Sequence, residues 1–286
     1  MSIYISTCSQ GLIWAILALG IFITFRVLNF ADMTAEGSLT LGGAVCAVLI
    51  SNGINPILSI VISGFAASIA GLITGVLHTK FKIQAILSGV LTMIALYSIN
   101  IRIMGKANVS LLGKRTVFST SNQNFAVGLT VCALLTIVLS LFFKTRLGLA
   151  IRATGDNEQM MKAHGANTDF KKILALMLSN AFCGIAGALI GQSQGYADVN
   201  MGTGSLVIAL ASIVIGEAMF TKDAILLKLI AVVFGSIAYR LIVFFVLNFG
   251  MNPSDLKLFT AVVVAAFLAL PNIRKRIVRS AKNVKN

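Results

Sequence analysis

Few residues in this chain could carry out covalent chemistry. The 286 residues contain no HExxH zinc motif and no GxxxxGK[ST] phosphate-binding loop. The four cysteines and two histidines stand apart from one another, without CxxC pairs or metal-ligand spacing. The sequence therefore argues against an enzyme, and we expect the chain to bind neither a metal nor ATP by itself.

Glu217 and Arg240 lie inside apolar runs, where a charge costs about 2.5–3.5 kcal/mol on insertion scales and is therefore a candidate functional group. Glu217, near the end of the seventh run, is either a pathway residue or an interfacial acid close to Lys222. Arg240 follows Lys228 by 12 residues, about 18 Å along a helix. If Lys228 lies at the membrane surface, Arg240 is past mid-membrane, and it either forms a structural pair or faces a pathway.

A short polar stretch, Asn29–Ser38, interrupts the hydrophobic pattern near the N-terminus. It includes Asn29, Asp32 and Glu36. Irregular polar backbone at membrane depth is tolerated only where it is buried in protein or lines a cavity. We therefore expect this stretch to contribute to a translocation path or to its cytoplasmic gate. An ordinary cytoplasmic loop is the alternative.

The longest polar stretch, Thr145–Lys172, lies in the middle of the chain. It predicts a short helix with signals at both ends. Asp156 or Asn157 can cap the N-terminus, and Glu158 falls in the first turn. Gly165 can supply the left-handed residue that ends the helix.

The predicted short helix carries an apolar surface too small to form a core, made by Met160, Met161 and Ala163. Such a surface suits docking into a groove on a partner protein. The alternative is an interfacial helix that lies on the membrane surface between two spans.

The composition indicates the class of protein that positions these candidate residues. Hydrophobic residues make up 57% of the chain, charged residues 11%, and the mean hydropathy is +0.93. Soluble domains are about 45–50% apolar and about 25% charged, so this chain is an integral membrane protein. We expect an all-α polytopic bundle, because the alternating ten-residue strands of a membrane barrel are missing.

The hydrophobic pattern predicts about nine membrane segments joined by short links. The first extends backward through the weakly polar residues Ile3–Gln10. The segments are Gly11–Phe25, Glu36–Ile50, Pro56–Leu77, Ile83–Ile101, Phe125–Phe143, Ile173–Gly191, Gly204–Phe220, Ala224–Phe249 and Leu258–Leu270. We expect residues 1–271 to form one transmembrane domain with a cytoplasmic loop at 144–172, followed by a basic tail, 272–286.

Lysine and arginine set the predicted orientation. With the tail in the cytoplasm, 17 of the 23 bases fall inside and 5 outside, with Arg240 within a segment. Nine spans place the N-terminus outside. If the second or the seventh segment is re-entrant, the count is eight and the N-terminus moves inside. The bases are scattered between apolar runs, so they favour topology and contact with anionic lipid over nucleic-acid binding.

The chain resembles permease subunits of bacterial ABC importers, specifically the branched-chain amino acid and ribose/nucleoside permease superfamily. The resemblance covers roughly Gly11 to Pro271. It rests on these residues: Leu28-Asn29-Phe30-Ala31-Asp32, Glu36-Gly37-Ser38, Leu41-Gly42-Gly43-Ala44, Thr145-Arg146-Leu147-Gly148, Arg152-Ala153, Gly155-Asp156-Asn157-Glu158, Gly165-Ala166-Asn167-Thr168 and Gly184-Ile185-Ala186-Gly187. Sugar-type members carry an extra N-terminal helix, so the start of this chain favours the amino-acid branch, with the aromatic amino acid uptake systems as the nearest likeness.

The resemblance implies a larger assembly in the bacterial cytoplasmic membrane. Two permease chains, as a homodimer or with a paralogue, form the pore. A P-loop ATPase binds ATP and docks on the coupling region, and an extracytoplasmic substrate-binding protein delivers the solute. The resemblance assigns the ATPase contact to Gly155, Asp156, Asn157, Glu158, Met161 and Gly165.

Two alternatives stay open at the level of sequence. The solute of such a permease could be a sugar or a nucleoside instead of an amino acid. An ion-coupled secondary transporter would need buried acids between broken helices, often within inverted repeats. The sequence offers Asp32 and Glu217 for that role and shows no convincing repeat.

Overall fold

The chain folds into a helical bundle. In a computed structural model, the described residues are 2–118, 121–220, 224–248 and positions 258, 261, 262 and 265. The helices are α1 (Ser2–Phe22), α2 (Thr34–Ser51), α3 (Pro56–Thr79), α4 (Ala85–Met104), α5 (Ser121–Lys144), α6 (Arg146–Asp156), α7 (Glu158–Ala163), α8 (Thr168–Gln194), α9 (Ser205–Met219) and α10 (Ile225–Asn248). The all-α prediction is confirmed.

Seven described helices are long and apolar enough to cross a membrane: α1, α2, α3, α4, α5, α8 and α10. The helix α9 has 15 residues. At 1.5 Å per residue it extends about 22 Å, which is short of the ~30 Å hydrocarbon core. Of the two segments named as candidates for a single re-entrant one, α2 therefore reaches spanning length and α9 does not. The ninth predicted segment, apart from a few positions, and the basic tail lie outside the described residues.

The ends of the helices define two ends of the bundle. A π-helical turn, Ile23–Val27, extends α1 and brings Arg26 into an ion pair with Glu217, two residues before the end of α9. Tyr4, near the start of α1, packs edge-on against Phe244 near the end of α10. We call the end that carries α6 and α7 the coupling end. The π-helical turn at the end of α1 packs on α6 through Val27 and Gly155, so α1 begins at the opposite end from α6 and α7.

A small antiparallel ribbon lies at that opposite end. The strand β1 (Asn108–Ser110) pairs with β2 (Tyr196–Asp198), with Val109 opposite Ala197. The ribbon ties the connection after α4 to the connection after α8. Beyond β2 the chain turns back toward α2 before α9 begins.

Glycines allow α8 to pack closely against α2 and α3. A side chain at Gly187 would meet the carbonyl oxygen of Leu39 on α2, and one at Gly71 on α3 would meet the carbonyl oxygen of Leu176. Small residues permit this close approach in membrane bundles, where van der Waals packing replaces the hydrophobic effect. The helix α8 is therefore the element around which α2 and α3 are fixed.

The peripheral helices present large apolar side chains to the outside. Examples are Phe65 on α3, Ile94 on α4 and Leu134 on α5, all of them more than half exposed. A water-facing surface of this kind would aggregate, whereas lipid tails solvate it. The fold is therefore that of a membrane bundle with a glycine-packed centre.

The glycine pair on α8 provides a matched test of this packing. The substitution Gly187→Ala places a methyl group against the Leu39 carbonyl, and overpacking of this kind typically costs about 1–3 kcal/mol. The substitution Gly191→Ala meets its nearest neighbour, the carbonyl oxygen of Tyr196, at 3.6 Å and adds helix propensity. We expect thermal unfolding in detergent to show a lower Tm for the first variant and an unchanged or higher Tm for the second. Equal Tm values would contradict the packing.

Candidate functional site

The helix α7 is a separate, capped turn and a half at the coupling end. The side-chain oxygen of Asn157 accepts a hydrogen bond from the backbone N–H of Met160 at 3.0 Å. Gly165 has φ +76°, and the N–H of Ala166 bonds back to the carbonyl of Met161 at 3.0 Å. The two caps that the sequence predicts are confirmed, with Asn157 taking the N-terminal role.

Glu158 ties α7 to the start of α8. Its two carboxylate oxygens lie 2.8 Å from the Lys162 ammonium and 2.7 Å from the Lys172 ammonium. Partial burial raises the pKa of Glu158, but the hydrogen bonds from Lys162 and Lys172 outweigh that effect and lower the pKa to about 2. Glu158 is therefore ionised at neutral pH and holds α7 in a fixed orientation on α8.

The outer surface of α7 is exposed. None of its six residues is buried, and Met160 is 46% exposed. A groove of about 500 Å³ runs beside it, lined by His78, Lys82, Glu158, Lys162, Asn167 and Asp169, among others. The apolar surface predicted for α7 is present. That a partner protein docks on this surface stays a prediction.

The sequence predicts one helix in this region, and the structure has two. The additional helix, α6, starts at a Thr145 cap and ends at Asp156. Gly155, near the C-terminus of α6, packs directly on the Val27 carbonyl. The side-chain amide of Asn29 donates to the carbonyl of Gly155 at 3.1 Å. The predicted coupling residue Gly155 thus faces the interior, where it joins α6 to the segment between α1 and α2.

That segment, residues 28–33, is locked by polar contacts with the bundle. Asp32 is buried, and its carboxylate accepts from the Asn180 side chain at 2.8 Å and from the Thr34 N–H at 2.9 Å. The hydroxyl of Thr34 lies 2.7 Å from that of Thr74, which donates to Thr92 at 2.9 Å. The sequence predicts that this polar segment is either buried in protein or lines a cavity. For Asp32, the structure shows burial in protein.

Glu36, in the first turn of α2, lines a cavity of about 380 Å³ between α2, α4 and the turn before α9. One carboxylate oxygen of Glu36 accepts from the Gly204 N–H at 3.0 Å. The other lining residues are Gly37, Thr40, Met93, Ile94, Tyr97, Ser98, Asn100, Val199, Asn200, Gly202 and Thr203. The structure therefore brings one of the five predicted pathway residues to a cavity large enough for a small solute.

Glu217 lies at the coupling end, away from this cavity. It forms an ion pair with Arg26, and both line a recess of about 260 Å³ together with Arg152, Asp156 and Lys228. Lys222, the neighbour that the sequence suggests, is outside the described residues. The structure thus supports an interfacial position for Glu217, with Arg26 as its partner.

Arg240 is partly buried near the opposite end. Its guanidinium lies 4.6 Å from the centre of the Trp14 ring, and its Nε has no hydrogen-bond partner among the described residues. It lines a cavity of about 70 Å³ with Ser193. Ser193 stands in a GxSxG sequence, Gly191–Gly195, but it lies in the last turn of α8 instead of on the strand-to-helix turn that a nucleophile needs.

The family described as branched-chain amino acid transport system, permease component, matches residues 3–270. The chain belongs to this family of ABC-transporter permeases. The permease is 43% identical to the tyrosine transport system permease protein of Clostridioides difficile (strain R20291), over 96% of this chain and 92% of the relative. It is 28% identical to the galactose/methyl galactoside import permease protein MglC of Salmonella typhimurium, over 85% of this chain and 77% of that protein.

A solved structure shares the fold of the permease. PsaBC from Streptococcus pneumoniae, in complex with Fab, superposes with a TM-score of 0.52 at 17% identity, over 92% of this chain and 88% of that one. At that identity the likeness concerns the fold alone. The resemblance to the ABC permease superfamily that the sequence indicates is confirmed by the family match.

Sequence reasoning missed most of the cavity wall of the permease. Tyr97 and Asn100 lie on α4, which the sequence treats as an ordinary apolar segment. Asn180, the partner of Asp32, lies 148 residues away in the chain. The available signal was an amide inside an apolar helix, since such a group needs a polar partner or a polar cavity in the membrane.

The contact between Gly155 and Val27 can be tested in the permease. The substitution Gly155→Ala pushes α6 away from residues 27–29, because its methyl group would overlap the Val27 carbonyl. We expect uptake per ATP hydrolysed to fall at least several-fold in a reconstituted complex while the ATPase remains bound. The control Gly128→Ala on α5 meets its nearest atoms at 3.5 Å and should transport normally. Normal uptake by Gly155→Ala would show that this contact carries no coupling.

Proposed function

We propose that this permease forms the translocation path for an amino acid and that a separate ATPase drives it by alternating access. The observation that carries the proposal is one continuous connection. The helix α6 packs on residues 27–29, and that segment leads within seven residues into the turn of α2 that carries Glu36 at the cavity. A movement of α6 and α7 would therefore reach the cavity wall directly.

The rigidity of this connection supports the proposed transmission of movement from α6 and α7 to the cavity wall. Glu158 holds α7 on α8 through Lys172, and Asp32 holds segment 28–33 on α8 through Asn180. Packed helices shift as bodies and do not deform smoothly, so a push on α7 moves these elements together. The ATPase supplies the free energy, since the sequence of the permease has no phosphate-binding loop.

An amino acid, specifically an aromatic one, is the solute that we favour. The relative at 43% identity is named a tyrosine transport permease, whereas the sugar permease stands at 28%. The cavity combines a carboxylate, Glu36, with an aromatic ring, Tyr97, which suits an amino acid better than an uncharged sugar. A sugar or a nucleoside remains the second candidate, because sugar permeases are relatives.

The remaining parts of the proposed machine follow from the family. The permease works in the bacterial cytoplasmic membrane with a second permease copy, an ATPase and an extracytoplasmic substrate-binding protein. The coupling end and the basic tail, 272–286, face the cytoplasm, where the tail contacts anionic lipid. Exposed apolar faces on α3, α4 and α5 contact lipid or the second copy.

The exposed surface of α7 provides the test of the ATPase contact. We expect Met160→Glu to reduce co-purification of the ATPase at least tenfold, because a charge replaces an apolar side chain at the proposed interface. The control Leu112→Glu changes a side chain that is 85% exposed at the opposite end and should leave co-purification unchanged. Unchanged co-purification in both variants would count against α7 as the docking helix.

The solute is tested by transport. We reconstitute the permease with its ATPase and binding protein in liposomes and supply ATP on the ATPase side. Labelled L-tyrosine should accumulate against its gradient, and labelled galactose should not. Accumulation of galactose alone would favour the sugar alternative, and the absence of ATP-dependent uptake of either would favour a different solute class.

A further inference from the structure

Asn100 and Glu36 both belong to the wall of the cavity between α2, α4 and the turn before α9. Asn100 is 1% exposed, and its side-chain amide donates to the carbonyl of Gly37 at 3.4 Å. This donation orients the amide, so that its Oδ1 is the free end. That oxygen has no hydrogen-bond partner among the described residues. A buried unsatisfied acceptor costs about 1–3 kcal/mol and therefore requires a ligand or water that donates.

The backbone donors around the cavity are already used. The Gly202 N–H bonds to the Thr40 hydroxyl at 3.1 Å, and the Gly204 N–H bonds to Glu36 at 3.0 Å. The Thr203 N–H bonds to the carbonyl of Asn200 at 3.0 Å. The turn before α9 therefore offers few N–H groups to an anion.

The charge of the cavity also favours a ligand that donates hydrogen bonds over an anion. Glu36 is ionisable, and no lysine, arginine or histidine is among the described residues that line the cavity. Tyr97, at the rim, is 49% exposed and can present its ring to a cation. A carboxylate, an unsatisfied amide oxygen and an aromatic ring together favour a group that carries positive charge and several donors.

We propose that this cavity binds the ammonium group of the transported solute, between the Glu36 carboxylate and Asn100 Oδ1, with the Tyr97 ring beside it. That the ammonium belongs to an amino acid rests on the proposed function. The volume of about 380 Å³ has room for one amino acid, and Met93 and Ile94 provide an apolar wall for its side chain. The site recognises the ammonium group of the amino acid and does not recognise its carboxylate group.

The proposal predicts selectivity between charged probes without any transport step. The full-length permease carries Ser98→Cys at the exposed cavity rim and Cys8→Ser, since the other three native cysteines are buried. In membrane vesicles it is labelled with a methanethiosulfonate that carries an ethylammonium or an ethylsulfonate group. After correction for the rates with a free thiol, we expect the ammonium reagent to react about tenfold faster, because the Glu36 charge attracts it.

Matched variants identify the source of this selectivity. The substitution Glu36→Gln should reduce the ratio of rates to within about twofold of unity, whereas Glu36→Asp should keep most of it. The control Glu217→Gln removes a carboxylate at the coupling end and should leave the ratio unchanged. Gel filtration confirms that each variant is folded. A ratio that does not depend on Glu36 would overturn the proposal.

Competition with analogues of tyrosine tests whether the site recognises the ammonium group or the carboxylate group of the solute. Tyramine, which keeps the ammonium of tyrosine, should slow labelling, and 3-(4-hydroxyphenyl)propionate, which keeps the carboxylate, should not. The substitution Asn100→Leu should abolish protection by tyramine. Protection by the acid and not by the amine would overturn the proposal. Because the labelling needs no ATPase, its outcome is independent of co-purification with Met160→Glu and of uptake in liposomes.

Discussion

A carboxylate buried away from water fixes the geometry of this permease. Asp32 can remain in the bundle because Asn180 and the Thr34 N–H donate to it. A buried carboxyl group without such partners is strongly unfavourable, so the position of Asp32 requires α2, α8 and segment 28–33 to keep one arrangement. The same contacts allow an irregular polar segment to lie where the bilayer would not tolerate it alone.

The two regions proposed to act in transport are neighbours because of that constraint. On one side of segment 28–33, Asn29 bonds to the carbonyl of Gly155, which belongs to the region expected to contact the ATPase. On the other side, Glu36 lies at the solute-sized cavity. Glycine contacts between α8 and its neighbours leave no space in which a displacement could be absorbed. In the proposed mechanism, movement therefore passes from α6 to the cavity through few residues.

Local signals in the sequence predicted much of the fold. Hydrophobic runs located the eight described segments to within about five residues, and the capping roles of Asn157 and Gly165 needed only near neighbours. The partners of polar groups could not be predicted, because Asp32 and Asn180 are joined only by the packing of distant helices. For the same reason Tyr97 was not recognised, since an aromatic residue in an apolar helix has the pattern of a lipid-facing one.

The stacking of Arg240 on Trp14 has a consequence for the tryptophan fluorescence of the protein. Trp14 is the single tryptophan of the chain, and its ring on α1 lies 4.6 Å from a cation on α10. Indole emission depends on nearby charge, so any sliding or separation of these two helices alters the intrinsic fluorescence. The protein therefore contains a built-in optical reporter of motion between its first and last described helices.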